Sequence, residues 1–217
     1  MVDPLSERTR IRRLPDKAVT DRGTLDAILD DGLVAHVGIV ESGQPFVLPV
    51  GYARRGDEVI VHGSSGSRLF RSLADGAPAC LTVTLLDGLV YARSAFESSM
   101  NYRSAMILGS ARRLSDDDEL DALRVLTEHL LPGRWQEARQ PSTKERAATI
   151  TVALPIEEWS VKVGEGGPDD DPHDLEDEPW RNIWAGHVPI RQVLDEAITD
   201  EHVPRSVPVP GYVRERP

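Results

Sequence analysis

The stretch Val59–Leu73, VIVHGSSGSRLFRSL, is the most informative part of this chain. A short apolar strand runs into a loop of glycine and serine, and the loop opens onto an amphipathic helix with Arg68 in its first turn. The N-terminus of a helix carries unpaired backbone N–H groups and a partial positive charge, and both favour a bound phosphate. The stretch therefore predicts a phosphate-binding loop between a strand and a helix.

The side chains of this loop also suit a phosphate. Gly63 and Gly66 allow the backbone to approach a ligand closely, and Arg68 supplies a forked, charge-assisted contact. Hydroxyl donors come from Ser64, Ser65 and Ser67. The alternative is an ordinary strand-to-helix turn whose serines cap the helix. No Gly-Lys-Ser/Thr follows at the spacing of a Walker loop.

Composition excludes several classes of protein. The 217 residues carry a net charge of −11, which argues against a nucleic-acid-binding protein. A hydrophobic content of 40% with 17 Gly and 16 Pro is typical of a globular, turn-rich protein. The sequence has no apolar leader or membrane-spanning stretch, so we expect a cytoplasmic protein without membrane partners. Cys80, the only cysteine, is expected to be a small buried residue.

The pattern of apolar residues and turns predicts a mainly β (α+β) fold. Thr24 is expected to cap a first helix that buries Leu25, Ile28 and Leu29. Strands are predicted over residues 33–40, 45–53, 58–62, 80–86, 89–94, 102–114, 149–154 and 159–163, with tight turns at 41–44 and 87–88 and helices over 67–74 and 115–130. Six of these strands lie within ~80 residues, which predicts an antiparallel barrel with a few flanking helices.

We expect residues 1–217 to form one domain with two less regular parts. An N-terminal arm over 1–20, with Arg8, Arg10, Arg12 and Arg13, is predicted to be solvated. An acidic loop followed by a C-terminal tail covers 164–217, and its run 165–178 is also expected to be solvated. The aspartates of this run lack the glycine and glutamate spacing of a calcium loop, and no metal site is predicted.

Three segments occur in an order that resembles a known family. They are GLVAHVGIVESGQPFVLPVGYARRGDEVIVHGSSGSRLFRSL at residues 32–73, SMNYRSAMILGSARRL at 99–114 and IWAGHVPIR at 183–191, so the resemblance covers most of the chain. The chain resembles the flavin-binding split-barrel proteins related to pyridoxamine 5′-phosphate oxidase, above all the flavin-nucleotide-binding and nitroimidazole-resistance subgroup. The resemblance implies an antiparallel split β-barrel with a six-stranded core, a homodimer, and FMN bound at the dimer interface.

The resemblance also implies which residues contact the cofactor. Ser67 and Arg68 would hold the phosphate, two neighbouring strands would carry the isoalloxazine ring, and the SMNYRS segment would reach the flavin of the second subunit. The implied cofactor-binding residues are Pro49, Val50, Gly51, Tyr52, Val61, His62, Gly63, Ser64, Ser67, Arg68, Asn101, Tyr102, Arg103, Ser104 and Trp184. No residue is assigned as a catalytic acid or base.

Several of these residues have a plainer interpretation. Arg103 is either a solvent-facing cation or a charge that stabilises the reduced flavin. His62 either contacts the cofactor or is a strand-end histidine bound to a carbonyl group, and Trp184 either contacts the cofactor or anchors the tail. His36 is expected to be a hydrogen-bonded barrel residue.

The predicted function is that of an FMN-dependent oxidoreductase acting on a small organic substrate. The substrate-binding Arg and His pattern of true pyridoxamine phosphate oxidases is not recognisable, so that reaction is not expected. One alternative is a non-catalytic protein that stores or senses flavin. Another is the same barrel with deazaflavin F420 or haem, for which His36, His62 or His187 would be the axial ligand.

Overall fold

The computed structural model describes residues 6–214, which form a frame of ten strands. The strands are β1 (Ala18–Val19), β2 (Val34–Glu41), β3 (Gln44–Arg55), β4 (Glu58–Ser64), β5 (Pro78–Tyr91), β6 (Ser99–Ser110), β7 (Arg112–Arg113), β8 (Thr149–Pro155), β9 (Glu158–Gly164) and β10 (Gly186–Pro189). The α-helices are α1 (Arg22–Asp31), α2 (Arg68–Ala74), α3 (Asp116–Leu130), α4 (Arg134–Glu137), α5 (Thr143–Ala147), α6 (Pro172–Glu176) and α7 (Gly211–Arg214). No helix within the described range is long and apolar enough to span a membrane.

The strands are antiparallel and follow the order β1-β9-β6-β5-β2-β3-β4-β8-β7, with β10 added to the end of β5. The hairpin of β2 and β3 turns at Ser42 and Gly43, whose φ angles are both positive. Two-residue hairpin turns of this kind match the right-handed twist of the strands. The sheet curls without closing, which confirms the predicted mainly β split barrel.

The core lies inside the curled sheet. Along β2 the inward side chains Ala35, Val37 and Ile39 are buried and alternate with outward ones, as a strand with one buried face requires. The helices α1 and α2 add their apolar faces to this core. A second, smaller apolar cluster forms where α3 packs on the outside of β3, β4 and β8. These three strands are therefore covered on both faces at that end of the barrel.

Some of the predicted turns and caps were wrong. Residues 87–88 do not turn the chain: β5 continues from Pro78 to Tyr91 with a bulge at this point, because β6 pairs along its whole length. The predicted long strand over 102–114 ends at Ser110, and the chain then crosses to pair with β8 as β7. The cap of α1 is Asp21, whose carboxylate accepts from the N–H of Thr24 at 2.8 Å.

The N-terminal arm and the acidic run are not simply solvated as predicted. Arg8 is ion-paired with Glu158 of β9. The carboxylate of Asp170 is buried, with its side chain 3% exposed, and accepts from the backbone N–H of Arg93 at 2.7 Å and from its guanidinium at 2.5 Å. Burying a carboxylate is costly unless it is paired, and this pair fixes the acidic run to the barrel. Residues 1–5 of the arm and 215–217 of the tail lie outside the described range.

Candidate functional site

A notch opens between β3 and β4 where the two strands stop pairing. They pair from Arg55 and Glu58 as far as Tyr52 and Val61. Beyond that point residues 44–51 of β3 pair only with β2, and residues 62–64 of β4 pair only with β8. One edge of β3 is therefore unpaired, and its backbone N–H and C=O groups remain available to a ligand. We call the gap between residues 45–51 and residues 62–64 the notch.

The predicted phosphate loop forms one end of the notch, but it is shorter than expected. Strand β4 extends to Ser64, so only residues 65–67 lie between strand and helix. The N–H of Ser65 bonds to Ala148, and those of Gly66 and Ser67 bond back to Ser64. The donors left for a phosphate are the N–H groups in the first turn of α2, which have no intrahelical acceptor.

The serine at the start of α2 does not act as a conventional cap. Ser67 is the N-cap residue of α2, yet its side chain makes no capping hydrogen bond. The hydroxyl of a capping serine normally accepts from the second or third N–H of the helix. The geometry thus disagrees with the interpretation in which the serine merely caps the helix, and it leaves the hydroxyl of Ser67 able to bind a ligand.

Arg68 reaches across the notch from α2 to the β2–β3 hairpin. Its Nε lies 3.0 Å from the carboxylate of Glu41, and its guanidinium carbon lies 4.5 Å from the centre of the Phe46 ring. Both contacts hold the cation at the mouth of the notch. A phosphate bound here would share Arg68 with Glu41 or displace that carboxylate. Glu41 and Phe46 were absent from the predicted site, because their separation of more than twenty residues from Arg68 gives no sequence signal.

The two glycines of the loop have different roles. A Cβ built on Gly63 would lie 2.0 Å from the ring of Phe70, so a glycine is needed here for α2 to pack on β4. On Gly66 the nearest atom to such a Cβ is the hydroxyl oxygen of Ser64 at 3.5 Å, an ordinary contact. Gly63 is therefore required for the packing of α2 on β4, and not, as the sequence suggested, to give a ligand room.

Two of the predicted cofactor residues turn their side chains away from the notch. Tyr52 and Val61 are buried in the core, and the hydroxyl of Tyr52 donates to the carbonyl of Leu29 at 2.8 Å. Burial raises the pKa of the Tyr52 hydroxyl above its ordinary value, so it stays protonated. Pro49 is exposed, and Val50 and Gly51 are half-buried along the unpaired edge.

His62 lies on β4 directly opposite Thr151 of β8. Part of His62 is exposed to solvent. The surrounding protein still removes water from its imidazole, and this desolvation lowers the pKa of the ring, which is therefore neutral at pH 7. Thr151 is fully buried, and its hydroxyl has no hydrogen-bond partner within the described residues. Thr151 was not singled out in the sequence, because a threonine inside an apolar strand is an ordinary residue.

The SMNYRS residues lie away from the notch of their own chain. Strand β6 is three strands from β3, a distance of about 14 Å along the sheet. The guanidinium of Arg103 bonds to Asp87 at 3.0 Å and to Asp31 at 2.7 Å, and these bonds, those to Asp87 first, raise its pKa. The amide of Asn101 donates to the carbonyl of Gly166 at 2.9 Å. Arg103 is therefore a charge-neutralised residue rather than a free surface cation.

The other predicted residues of the SMNYRS segment, and Trp184, also have defined neighbours. Tyr102 packs against Gly164, where a Cβ would lie 3.3 Å from its ring, and the hydroxyl of Ser104 is 3.4 Å from a backbone carbonyl of β9. Trp184 is 66% exposed, with its ring centre 5.7 Å from that of Tyr91. Its segment pairs with β5 through β10, so this part of the tail packs back on the barrel.

His36 is not the hydrogen-bonded barrel residue that the sequence predicted. It lies on the outer face, which we define as the outward side of β2 and β3 and which carries Val34, His36, Gly38, Val40, Val47 and Pro49. His36 is exposed there, and no hydrogen bond or ion pair to it occurs in the described part of the chain. A cavity of about 470 Å³ begins two residues further along β2, at Gly38; its lining is mainly apolar, with Val40, Val47 and one charged residue, Arg8, and His36 itself does not line it.

A model of the pyridoxamine 5'-phosphate oxidase family matches residues 21–163. The FAD and heme binding protein from Mycobacterium smegmatis is 43% identical, with a TM-score of 0.86, over 91% of this chain and 96% of that chain. The flavocytochrome Anf3 from Azotobacter vinelandii is 41% identical, with a TM-score of 0.90, over 99% of this chain and 98% of that chain. A Bacteroides thetaiotaomicron structure, at 22% identity and a TM-score of 0.57 over 67% of this chain and 86% of that chain, shares the fold alone. No curated protein matches significantly.

Proposed function

Since the chain belongs to the pyridoxamine 5'-phosphate oxidase family, we propose that it is a redox protein that binds a flavin in the notch. One observation carries this proposal: the unpaired edge of β3 faces a loop that presents the free hydroxyl of Ser67 and the guanidinium of Arg68. The polar edge of an isoalloxazine ring takes hydrogen bonds from a strand edge, and a flavin phosphate takes charge-assisted bonds from Arg68.

We propose FAD as the flavin, in place of the FMN that the sequence suggested. Two structures more than 40% identical to this chain over nearly its whole length are described as an FAD and heme binding protein and as a flavocytochrome. The first turn of α2, Ser67 and Arg68 suit either the single phosphate of FMN or the pyrophosphate of FAD. FMN remains the alternative that cofactor analysis must separate from FAD.

Haem is the second group that we propose, on the same two relatives. The chain contains histidines that could ligate iron: the imidazoles of His36, His62 and His187 have no hydrogen-bond partner within residues 6–214. A histidine nitrogen is a common axial ligand of haem iron. These histidines therefore offer the nitrogen ligand that a haem iron needs. A deazaflavin needs no such ligand and would require only the notch.

A bound flavin supplies the hydride or electron transfer itself, and this chain supplies position and electrostatics. Arg68 and the first turn of α2 hold the phosphate end, and the β3 edge orients the ring. The sequence assigns no residue as catalytic acid or base, and we propose that the protein serves the oxidation or reduction of a small molecule, or electron transfer to haem. Storage or sensing of flavin without turnover is the alternative, and it predicts no flavin reduction by any donor.

We further propose that the working form is a homodimer. The separation of SMNYRS from the notch of its own chain supports a site completed by a second copy, because the open notch alone covers little of a tricyclic ring. A second copy presents the same segment to each notch by symmetry.

The experiment is cofactor analysis of the purified protein. The absorbance spectrum separates flavin, deazaflavin and haem, and chromatography of the released flavin separates FAD from FMN. We expect FAD and haem, with the flavin reduced when an electron donor is supplied. A protein that binds neither FAD nor FMN would overturn the proposed function, and sedimentation of the loaded protein as a monomer would overturn the homodimer.

A further inference from the structure

The six histidines of the chain differ in their bonding. The ring of His129 bonds to the carbonyl of Gly32 at 2.8 Å, and His173 and His202 face neighbouring carboxylates. His173 lies in α6 within the acidic run, and His202 lies in the tail. The three that have no partner within the described residues are His36, His62 and His187.

His36 lies beside apolar surface that a haem could cover. A porphyrin is a broad, mostly apolar ring, so it gains free energy when apolar surface covers it. On the outer face of β2, the neighbours of His36 are Val34 on one side and Gly38 on the other. Val34 offers an apolar side chain, and Gly38 has no side chain that would block a planar ring. Val47 lies across the strand pair from Gly38, and the 470 Å³ cavity begins at this point.

The other two histidines have surroundings that suit haem less well. His187 lines a cavity of about 340 Å³ whose other members include Asp87, Arg103 and Glu165, a charged lining for an apolar ring. His62 lies opposite Thr151 in the notch, where the proposed flavin binds. Haem at His62 would compete with the flavin for the same space.

We propose that His36 is the residue through which this chain ligates haem, on the outer face beside the notch. The inference rests on the haem-binding part of the proposed function. His36 pairs across the hairpin with Pro49, and Pro49 lies on the strand edge that borders the notch. Paired residues of antiparallel strands have Cα atoms only about 4.5–5.5 Å apart, so this ligand places the two redox groups next to each other.

The proposal is tested by adding hemin to the flavin-loaded protein and to three variants, His36→Ala, His187→Ala and His62→Ala. We expect the first variant to lose at least tenfold in haem affinity, while its flavin content and its thermal unfolding midpoint stay unchanged because the replaced side chain is exposed. Imidazole added to that variant is expected to restore the spectrum of the wild-type complex. The His187→Ala variant is expected to keep haem with the wild-type spectrum, and His62→Ala is expected to keep haem even where its flavin affinity falls.

A second variant tests ligation rather than affinity. His36→Cys is expected to retain haem but to change its absorbance and electron spin resonance spectra, because a thiolate replaces the imidazole on the iron. A wild-type spectrum in either His36 variant, or loss of haem in the His187 or His62 variant instead, overturns the assignment of His36. A wild-type protein that takes up no haem overturns it too, and in that case the flavin titration reports separately on the flavin part of the proposed function.

Discussion

Replacing Arg68 with alanine tests the phosphate end of the notch most directly. The guanidinium is expected to give a flavin phosphate charge-assisted hydrogen bonds, whose loss costs about 1.5–3 kcal/mol of binding free energy. In the free protein Arg68 pairs with Glu41, and both side chains are about half exposed, so giving up that pair costs only ~0.2–1 kcal/mol.

The net loss for Arg68→Ala is then about 0.5–2.8 kcal/mol, a rise of about 2- to 110-fold in the dissociation constants of FAD and FMN. Glu41→Gln removes the internal competitor, so it is expected to tighten binding by about 1.4- to 5-fold. In the Arg68→Ala background the same Glu41 change is expected to have no effect, because its partner is gone.

The assay is quenching of flavin fluorescence on titration with FMN, FAD and riboflavin. Riboflavin has no phosphate, so its affinity is expected to be the same in wild type and Arg68→Ala. The matched control is Arg71→Ala on the same helix, whose exposed side chain has no partner among the described residues. The reasoning is refuted if riboflavin binding weakens as much as FMN binding, or if the Arg71 variant weakens FMN to the same degree.

Three further substitutions test contacts that stabilise the barrel and the segments attached to it. Tyr52→Phe removes a buried hydrogen bond of 2.8 Å to α1, and urea unfolding should show a loss of about 0.5–1.5 kcal/mol. Gly63→Ala places a Cβ against the ring of Phe70 and should cost about 1–3 kcal/mol in the same measurement; an unchanged midpoint would contradict the packing requirement. Asp170→Asn leaves Arg93 without its carboxylate, so limited proteolysis should cut residues 164–179 faster than in wild type.

The sequence predicted those parts of the fold that depend on neighbours in the chain. The β2–β3 hairpin was predictable because Ser42-Gly43 sits between two apolar runs and adopts a turn on its own. The apolar face of α1, with Leu25, Ile28 and Leu29, was predictable from its period. The resemblance to a flavin-binding family also came from local segments, and the family match confirms it.

Predictions failed where a distant strand overruled a local signal. Asp87-Gly88 is a strong turn pair, yet β6 pairs across it, and Arg103 holds the Asp87 carboxylate at 3.0 Å, so the strand continues through a bulge. The aspartates of the acidic run were expected to be solvated, yet Asp170 is buried because Arg93 meets it from the barrel.

The sequence by itself determined the strand-loop-helix unit with Ser67 and Arg68, because hydrophobic period, glycine and capping residues act within a few residues of each other. Only the tertiary structure decided what that unit faces. The notch exists because β3 and β4 separate after Tyr52 and Val61, and Glu41 meets Arg68 because the hairpin folds beside α2. The exposure of His36 likewise follows from which side of β2 the core covers, and a strand has two sides that sequence spacing alone does not tell apart.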